Sequence, residues 1–298
     1  MISPLNLNQV LDLETIQQKQ LWGDALKSSQ LMMVYAATGV GKSFFTWALG
    51  LSLATGSRFL GTDCPAPLRV LLAEGEMGLA YTKKRLGILV KSLPYSPRGD
   101  HFRVLSKDHC GGQLWNISNP EHQRRYNALF ADCDVIILDN LLSCAFPMDR
   151  RDNEFAMWER IAPWLFMVRD SGRSVILVHH TNKGGQQQMG ASTKMNWLDT
   201  AIELRAPASA SGIDGMEFEL RFTKTRDIKR SQAQPLLVTF QDDGLGVSRW
   251  GSSPLLEGQE ATVRDCRARG MNRREVARAT GMSLQAVQRV WEQEDLNI

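Results

Sequence analysis

The chain has 298 residues, 43% hydrophobic and 22% charged, with a net charge of +3. This length fits one large domain with a small appendage, and the charge is too slight to name a partner, so charge has to be read locally. No stretch reaches about 18 apolar residues, which excludes a membrane-spanning helix. The first twenty residues lack the positive segment and apolar run of a signal peptide. Five cysteines, odd in number and without metal-ligand spacing, point to a reducing compartment and no cysteine metal site. The expected location is cytoplasmic.

In chain order, residues 1–29 are polar and predict one short helix from Asp12 to Lys27. From Leu31 to about Phe240, short apolar runs alternate with helical patterns. "LMMVYA" (31–36), "RVLLAEG" (69–75), "DVIILDN" (134–140) and "SVILVHH" (174–180) are continuously apolar, as buried parallel strands covered on both faces are. "KSFFTWALGLSLATG" and "NEFAMWERIAPWLFMVRDSG" are the covering helices, each closed by a glycine. "TAIELRAP" and "MEFELRFTK" read as later strands, and "PLLVTFQDDGLGVSRW" as a hairpin at the edge. The alternation predicts an α/β domain with a mostly parallel sheet over residues 30–250. A linker, "WGSSPLLEG", then leads to a small all-α module over residues 259–298.

"AATGVGKS" (36–43) lies where a strand ends and a helix begins. It is G-x-x-x-x-G-K-[ST] with Ala36 in place of the first glycine. Backbone N–H groups from Thr38 to Ser43 can cradle phosphates at the positive end of a helix. The expected nucleotide-binding residues are Ala36, Thr38, Gly39, Val40, Gly41, Lys42, Ser43 and Phe44. Lys42 would reach the β- and γ-phosphates of ATP, and the Ser43 hydroxyl would hold Mg²⁺. Asp139, closing "VIILD", is the second expected support of that metal; acids also close strands merely because strands end in water. "VLLAEGEM" offers Glu74 and Glu76 to orient or deprotonate a water, and either is also compatible with a plain surface acid. Two histidines, His179 and His180, leave the next strand; they lack a third metal ligand, and a sensor of the γ-phosphate is the better reading. The following loop, with Lys183 and Lys194, looks suited to a polyanion. After the alternating strand "MEFELRFTK", the cations Lys224, Arg226, Lys229 and Arg230 cluster with one acid, Asp227.

The order of the P-loop, the strand ending in glutamate, the "IILD" strand, the "HH" strand end and the late "K.R" resembles RecA-fold ATPases. Within them it is most similar to the hexameric RepA-type replicative helicases of broad-host-range plasmids, with DnaB-type helicases more distant. The resemblance covers about residues 30–230. It implies that Glu76 rather than Glu74 is the catalytic glutamate, and that Asp139 is the Walker B aspartate. It implies also that His179 and His180 match the paired histidines of the sensor strand. Lys224 and Arg226 match the pair that reaches a neighbour's γ-phosphate in a ring. The expected catalytic set is Glu76, Lys42, His179, Lys224 and Arg226, with Ser43 and Asp139 at the metal.

Residues 261–291 hold seven arginines against Asp265 and Glu275. In "RREVARATGMSLQAVQRVWEQ" the spacing of Ala277, Gly281 and Val287 resembles helix-turn-helix proteins. Gln285, Gln288 and Arg289 are candidates to face a groove or phosphates; a docking bundle for protein partners fits the same pattern. The expected function is an ATP-hydrolysing ring helicase or translocase on DNA, single-stranded by preference with duplex possible. It would serve the replication of a plasmid, phage or mobile element, as a hexamer with possible partners from the same machinery. The alternatives are an ATP-dependent DNA-binding loader or switch in replication initiation or transposition, and a nucleotide-driven structural assembly.

Overall fold

The computed structural model describes residues 4–13, 17–145, 154–180, 196–207, 215–228, 233–255 and 259–295. The loop with Lys183 and Lys194, and the cations Lys229 and Arg230, lie outside them.

Among the described residues, nine strands form one sheet in the order β11-β10-β9-β8-β3-β7-β6-β4-β5. The strands are β3 (Leu31–Ala36), β4 (Val70–Glu74), β5 (Phe102–Ser106), β6 (Val135–Asp139), β7 (Ser174–His180), β8 (Thr200–Arg205), β9 (Gly215–Thr225), β10 (Leu236–Asp242) and β11 (Ser248–Pro254). From β5 across to β8 every pair is parallel. β9, β10 and β11 extend the sheet in antiparallel fashion. The four apolar runs are buried on both faces because helices cover each side. On one face α2 (Lys42–Thr55) packs Phe45, Trp47, Leu49 and Leu53 against β3, β4 and β6, with α3 (Leu79–Lys91) beside it. On the other, α4 (Pro120–Phe130) and α6 (Glu154–Asp170) bury Tyr126, Phe130, Trp158 and Trp164 with Met33, Ile136 and Leu177. A single turn, α5 (Leu141–Cys144), follows β6.

Among the described residues of 12–27 the expected helix is not found. A five-residue helix, α1 (Leu7–Leu11), precedes a small hairpin of β1 (Gln20–Trp22) and β2 (Leu26–Lys27). Gly23, at φ +50°, makes the turn, and Trp22 is 3% exposed with its Nε1 donating to the Phe59 carbonyl at 3.1 Å. Burying Leu21, Trp22 and Leu26 against the main core outweighs helix propensity, a weak prior at best. The start of the expected linker is also strand, because "WGSSP" completes β11.

Residues 259–295 form three helices, α7 (Gln259–Ala268), α8 (Arg273–Thr280) and α9 (Leu284–Asp295), around Val263, Cys266, Val276, Val287 and Val290. Asn272 caps α8 in a reciprocal box with Glu275, and Gly281 ends it at φ +69°. Among the described residues all five cysteines are free, and no helix is long and apolar enough to cross a membrane.

Gly50 fixes how closely α2 approaches the sheet. A Cβ there would stand 2.6 Å from Ile137 Cδ1, 3.2 Å from Phe102 Cε2 and 3.5 Å from Val70 Cγ1. Gly50→Val is therefore expected to cost about 1–3 kcal/mol through overpacking, read as a lower denaturant midpoint at an unchanged m-value.

Candidate active site

Four neighbouring parallel strands, β3, β7, β6 and β4, end on one side of the sheet, and their last residues build the site. Ala36 is level with His180, and Glu74 with Asp139. In an open α/β sheet this crevice beyond the carboxyl ends is where ligands bind.

The loop after β3 turns at Gly39 (φ +86°) and Gly41 (φ +116°), which any side chain would strain. Gly41 is the N-cap of α2 and supplies no capping side chain, so the first N–H groups of the helix face the crevice. Lys42 is 5% exposed and its Nζ donates to the Ala36 and Ala37 carbonyls, each at 2.8 Å. Burial lowers its pKa, and the charges of Asp139 and Glu76 oppose that shift.

Asp139 is 2% exposed. Its Oδ2 accepts from the Trp47 indole N–H at 2.7 Å, and the Ser43 hydroxyl is a second partner. Burial raises its pKa, and these two hydrogen bonds pull it back. A buried carboxylate beside a hydroxyl is a hard-oxygen donor set, which suits Mg²⁺ held partly by phosphates and water. Among the described residues no cluster of three His, Cys, Asp or Glu offers an all-protein metal cage. Ser43 and Asp139 would hold Mg²⁺ there, where it neutralises charge on the transferring phosphoryl group. Trp47 was not legible as a site residue, because within "FFTWALG" it is one more apolar helix position.

The two glutamates separate cleanly. Glu74 is fully buried, and its Oε1 accepts from the backbone N–H of Glu76 at 2.8 Å and from that of Met77. Burial raises its pKa, opposed by those hydrogen bonds. It shapes the turn. Glu76 stands out of that turn with its side chain 51% exposed. Its Oε2 accepts from Asn140 Nδ2 at 2.7 Å and lies 3.3 Å from His180 Nε2, while Asn140 Nδ2 and His180 Nε2 are 2.9 Å apart. The imidazole at the site is thus His180 and not the expected His179. Successive strand residues face opposite sides, so only one of the pair can join Glu76.

Lys224 and Arg226 are absent from this cluster. β9 runs antiparallel to β8, so Lys224 pairs with Ala201 and Thr225 with Thr200, at the start of β8. Arg226 lies just beyond the strand, 3.4 Å from Asp199 Oδ1, and donates to the Asn196 carbonyl at 3.2 Å. Asp199 in turn accepts from the Leu31 N–H at the start of β3, the end opposite the P-loop. Six residues of β3 separate the two ends by about 17 Å at ~3.3 Å per residue. A bulge between Phe222 and Lys224 breaks the alternation just before the two cations, so their faces do not follow from the pattern of Met216 to Phe222.

The AAA domain family model matches residues 2–186. The chain belongs to that family. As an AAA-type P-loop ATPase it shares its fold with a KaiC-like protein of Pyrococcus horikoshii OT3, at 12% identity and a TM-score of 0.52 over 77% of this chain and 91% of that one. The flagellar accessory protein FlaH of Methanocaldococcus jannaschii is alike at 10% identity and a TM-score of 0.52, over 77% and 90%. No curated protein matches the sequence. The two structures show a shared fold and the family match an AAA-type P-loop ATPase; neither singles out the RepA type or the hexameric helicases that the sequence resembles.

Glu76→Gln is expected to leave nucleotide binding intact and lower single-turnover ATP hydrolysis by 10²-fold or more, since general-base contributions run to about 10²–10⁴. Glu74→Gln, with an acceptor oxygen still present for the turn, should retain turnover within a few-fold. Trp47→Phe removes one hydrogen bond to a buried carboxylate, an effect of about 1.5–3 kcal/mol. It should weaken nucleotide binding in Mg²⁺ by roughly tenfold or more and leave binding in EDTA unchanged, as titration calorimetry in both buffers would show.

Proposed function

We propose that this ATPase is a DNA-binding loader or regulatory switch that works as an assembly of like subunits. The observation that carries the reading is the union of a P-loop core with an arginine-rich, helix-turn-helix-like module. Within the module, Asp265 pairs with Arg269 at 2.7 Å and Glu275 is engaged in the cap of α8. Arg267 and Arg273 lie over the Trp291 ring at 4.8 and 5.7 Å. Arg274 and Arg278 remain exposed four residues apart on α8, and Gln285 and Gln288 are exposed on α9. In this motif the second helix enters the major groove of duplex DNA. A module of that type suits a duplex-bound switch better than a motor confined to one strand. The side chain of Arg289 is outside the described residues.

In this reading ATP lies along the loop from Ala36 to Phe44, with Lys42 turned from its carbonyls to the β- and γ-phosphates. Glu76 takes the proton of the attacking water. Asn140 and His180 hold the glutamate and register the γ-phosphate. Lys224 and Arg226 face away from their own P-loop and serve the nucleotide of a neighbouring subunit, making hydrolysis depend on assembly. That geometry supports self-association; ring size, six in the helicases the sequence resembles, is part of the proposal.

The test is ATPase rate over a range of protein concentrations, without DNA and with single-stranded or duplex DNA. Slow turnover that rises with protein concentration and responds to duplex fits the switch. Fast turnover driven by single strands and coupled to unwinding would instead identify a helicase. Arg226→Ala is expected to bind ATP and hydrolyse it at least tenfold more slowly. Mixing it with Lys42→Ala should restore part of the rate, because one mixed interface joins an intact P-loop to an intact finger. No recovery in mixtures whose subunits demonstrably exchange would rule out action across an interface.

A further inference from the structure

Three residues beyond Glu76 the chain enters α3, which packs Leu86, Ile88, Leu89 and Val90 into the core beside α2. Its outer face is unusual in charge. Residues 79–98 carry Lys83, Lys84, Arg85, Lys91 and Arg98 and no acid. Several other arginines on the core surface meet an acid of the same chain, as in Arg58–Asp63, Arg103–Asp132, Arg125–Glu121 and Arg249–Asp243. Among the described residues, none of the five cations on this segment has such a partner; Arg85 instead lies 5.3 Å over the Phe44 ring. Asp108 accepts from the Leu79 N–H at 2.6 Å at the start of the helix, and beyond that first turn Lys83, Lys84 and Lys91 are exposed without an ion pair among the described residues.

Two further observations say what the face suits. Tyr81 is 67% exposed and Tyr95 55% exposed, so both rings are open to solvent. Gly87 sits in the middle of the exposed stripe, three residues after Lys84 and four before Lys91. A glycine inside a helix is destabilising, and packing does not demand it here, because a Cβ would meet nothing within 4 Å. What it provides is bare helix backbone that an extended polymer can approach closely. The thirteen-residue helix gives this surface a length of about 20 Å.

We propose that the outer face of α3, with Tyr81, Lys83, Lys84, Gly87, Lys91 and the following Tyr95, binds single-stranded nucleic acid. The lysines take the phosphates, releasing counterions, and the tyrosines stack on unpaired bases. Duplex DNA offers the same phosphates but no free base faces, so the exposed rings favour a single strand. This surface is separate from the C-terminal module, and it deepens the proposed function by giving the core its own strand; it rests on that reading only in taking DNA as the polymer.

The test uses the full chain, with fluorescence anisotropy of a labelled oligo(dT) and of a blunt duplex across a salt series. Lys84→Glu combined with Lys91→Glu should weaken oligo(dT) binding at least tenfold and flatten its salt slope by roughly 1–2, at ~0.7 per phosphate contact. Duplex affinity should hold. Gly87→Glu should weaken oligo(dT) binding without lowering Tm, since glutamate is the better helix former. Tyr81→Ala should cost about fivefold or more through lost stacking. Wild-type oligo(dT) affinity in the charge-reversed and glycine variants overturns this surface alone, and so does an equal loss for duplex. A wild-type chain that binds phosphatidylserine vesicles but no DNA overturns both this assignment and the proposed function.

Discussion

Double-sided burial of the central strands governs where chemistry can happen in this molecule. With helices on both faces, β3, β4, β6 and β7 have no solvated side, and polar groups along them would lack partners. Only the strand ends reach water. The phosphate loop, Asp139, Glu74 and His180 are therefore gathered at one end, and Asp199 with Arg226 at the other. The molecule has two polar poles with an apolar slab between them.

At the first pole, burial divides the labour between similar groups. Glu74 and Glu76 are two residues apart, yet one is sealed and serves the backbone while the other is half in solvent. The sealed carboxylate makes the exposed one useful, because its hydrogen bonds fix the turn from which Glu76 projects. Trp47 has a comparable bearing on Asp139, since its indole N–H holds Oδ2 and, with the Ser43 hydroxyl, fixes how the carboxylate is presented.

What the sequence disclosed follows from how local each signal is. The phosphate loop, the four apolar strands and the closing glycines of α2 and α6 are contiguous patterns, and all are in the structure where the pattern put them. The N-terminal hairpin was hidden because its reason for existing is a contact between Trp22 and Phe59, 37 residues away. The choice between His179 and His180 turns on strand parity relative to β6, which an unbroken apolar run conceals. A periodic apolar pattern cannot reveal that Trp47 has a polar errand, and the bulge near Thr223 leaves the alternation of β9 looking intact. The outer face of α3 was equally silent, because a run of lysines is normally just a solvated surface until the missing counter-charges are seen.

The second pole has a mechanical meaning. Asp199 holds Arg226 with one oxygen and the first N–H of β3 with the other. β3 is a short rod whose far end is the phosphate loop. In an assembly of the proposed kind, a pull on Arg226 by the nucleotide next door arrives at the foot of the strand whose head grips the subunit's own. Adjacent sites would then be coupled in series, each loading event arriving as tension at the next.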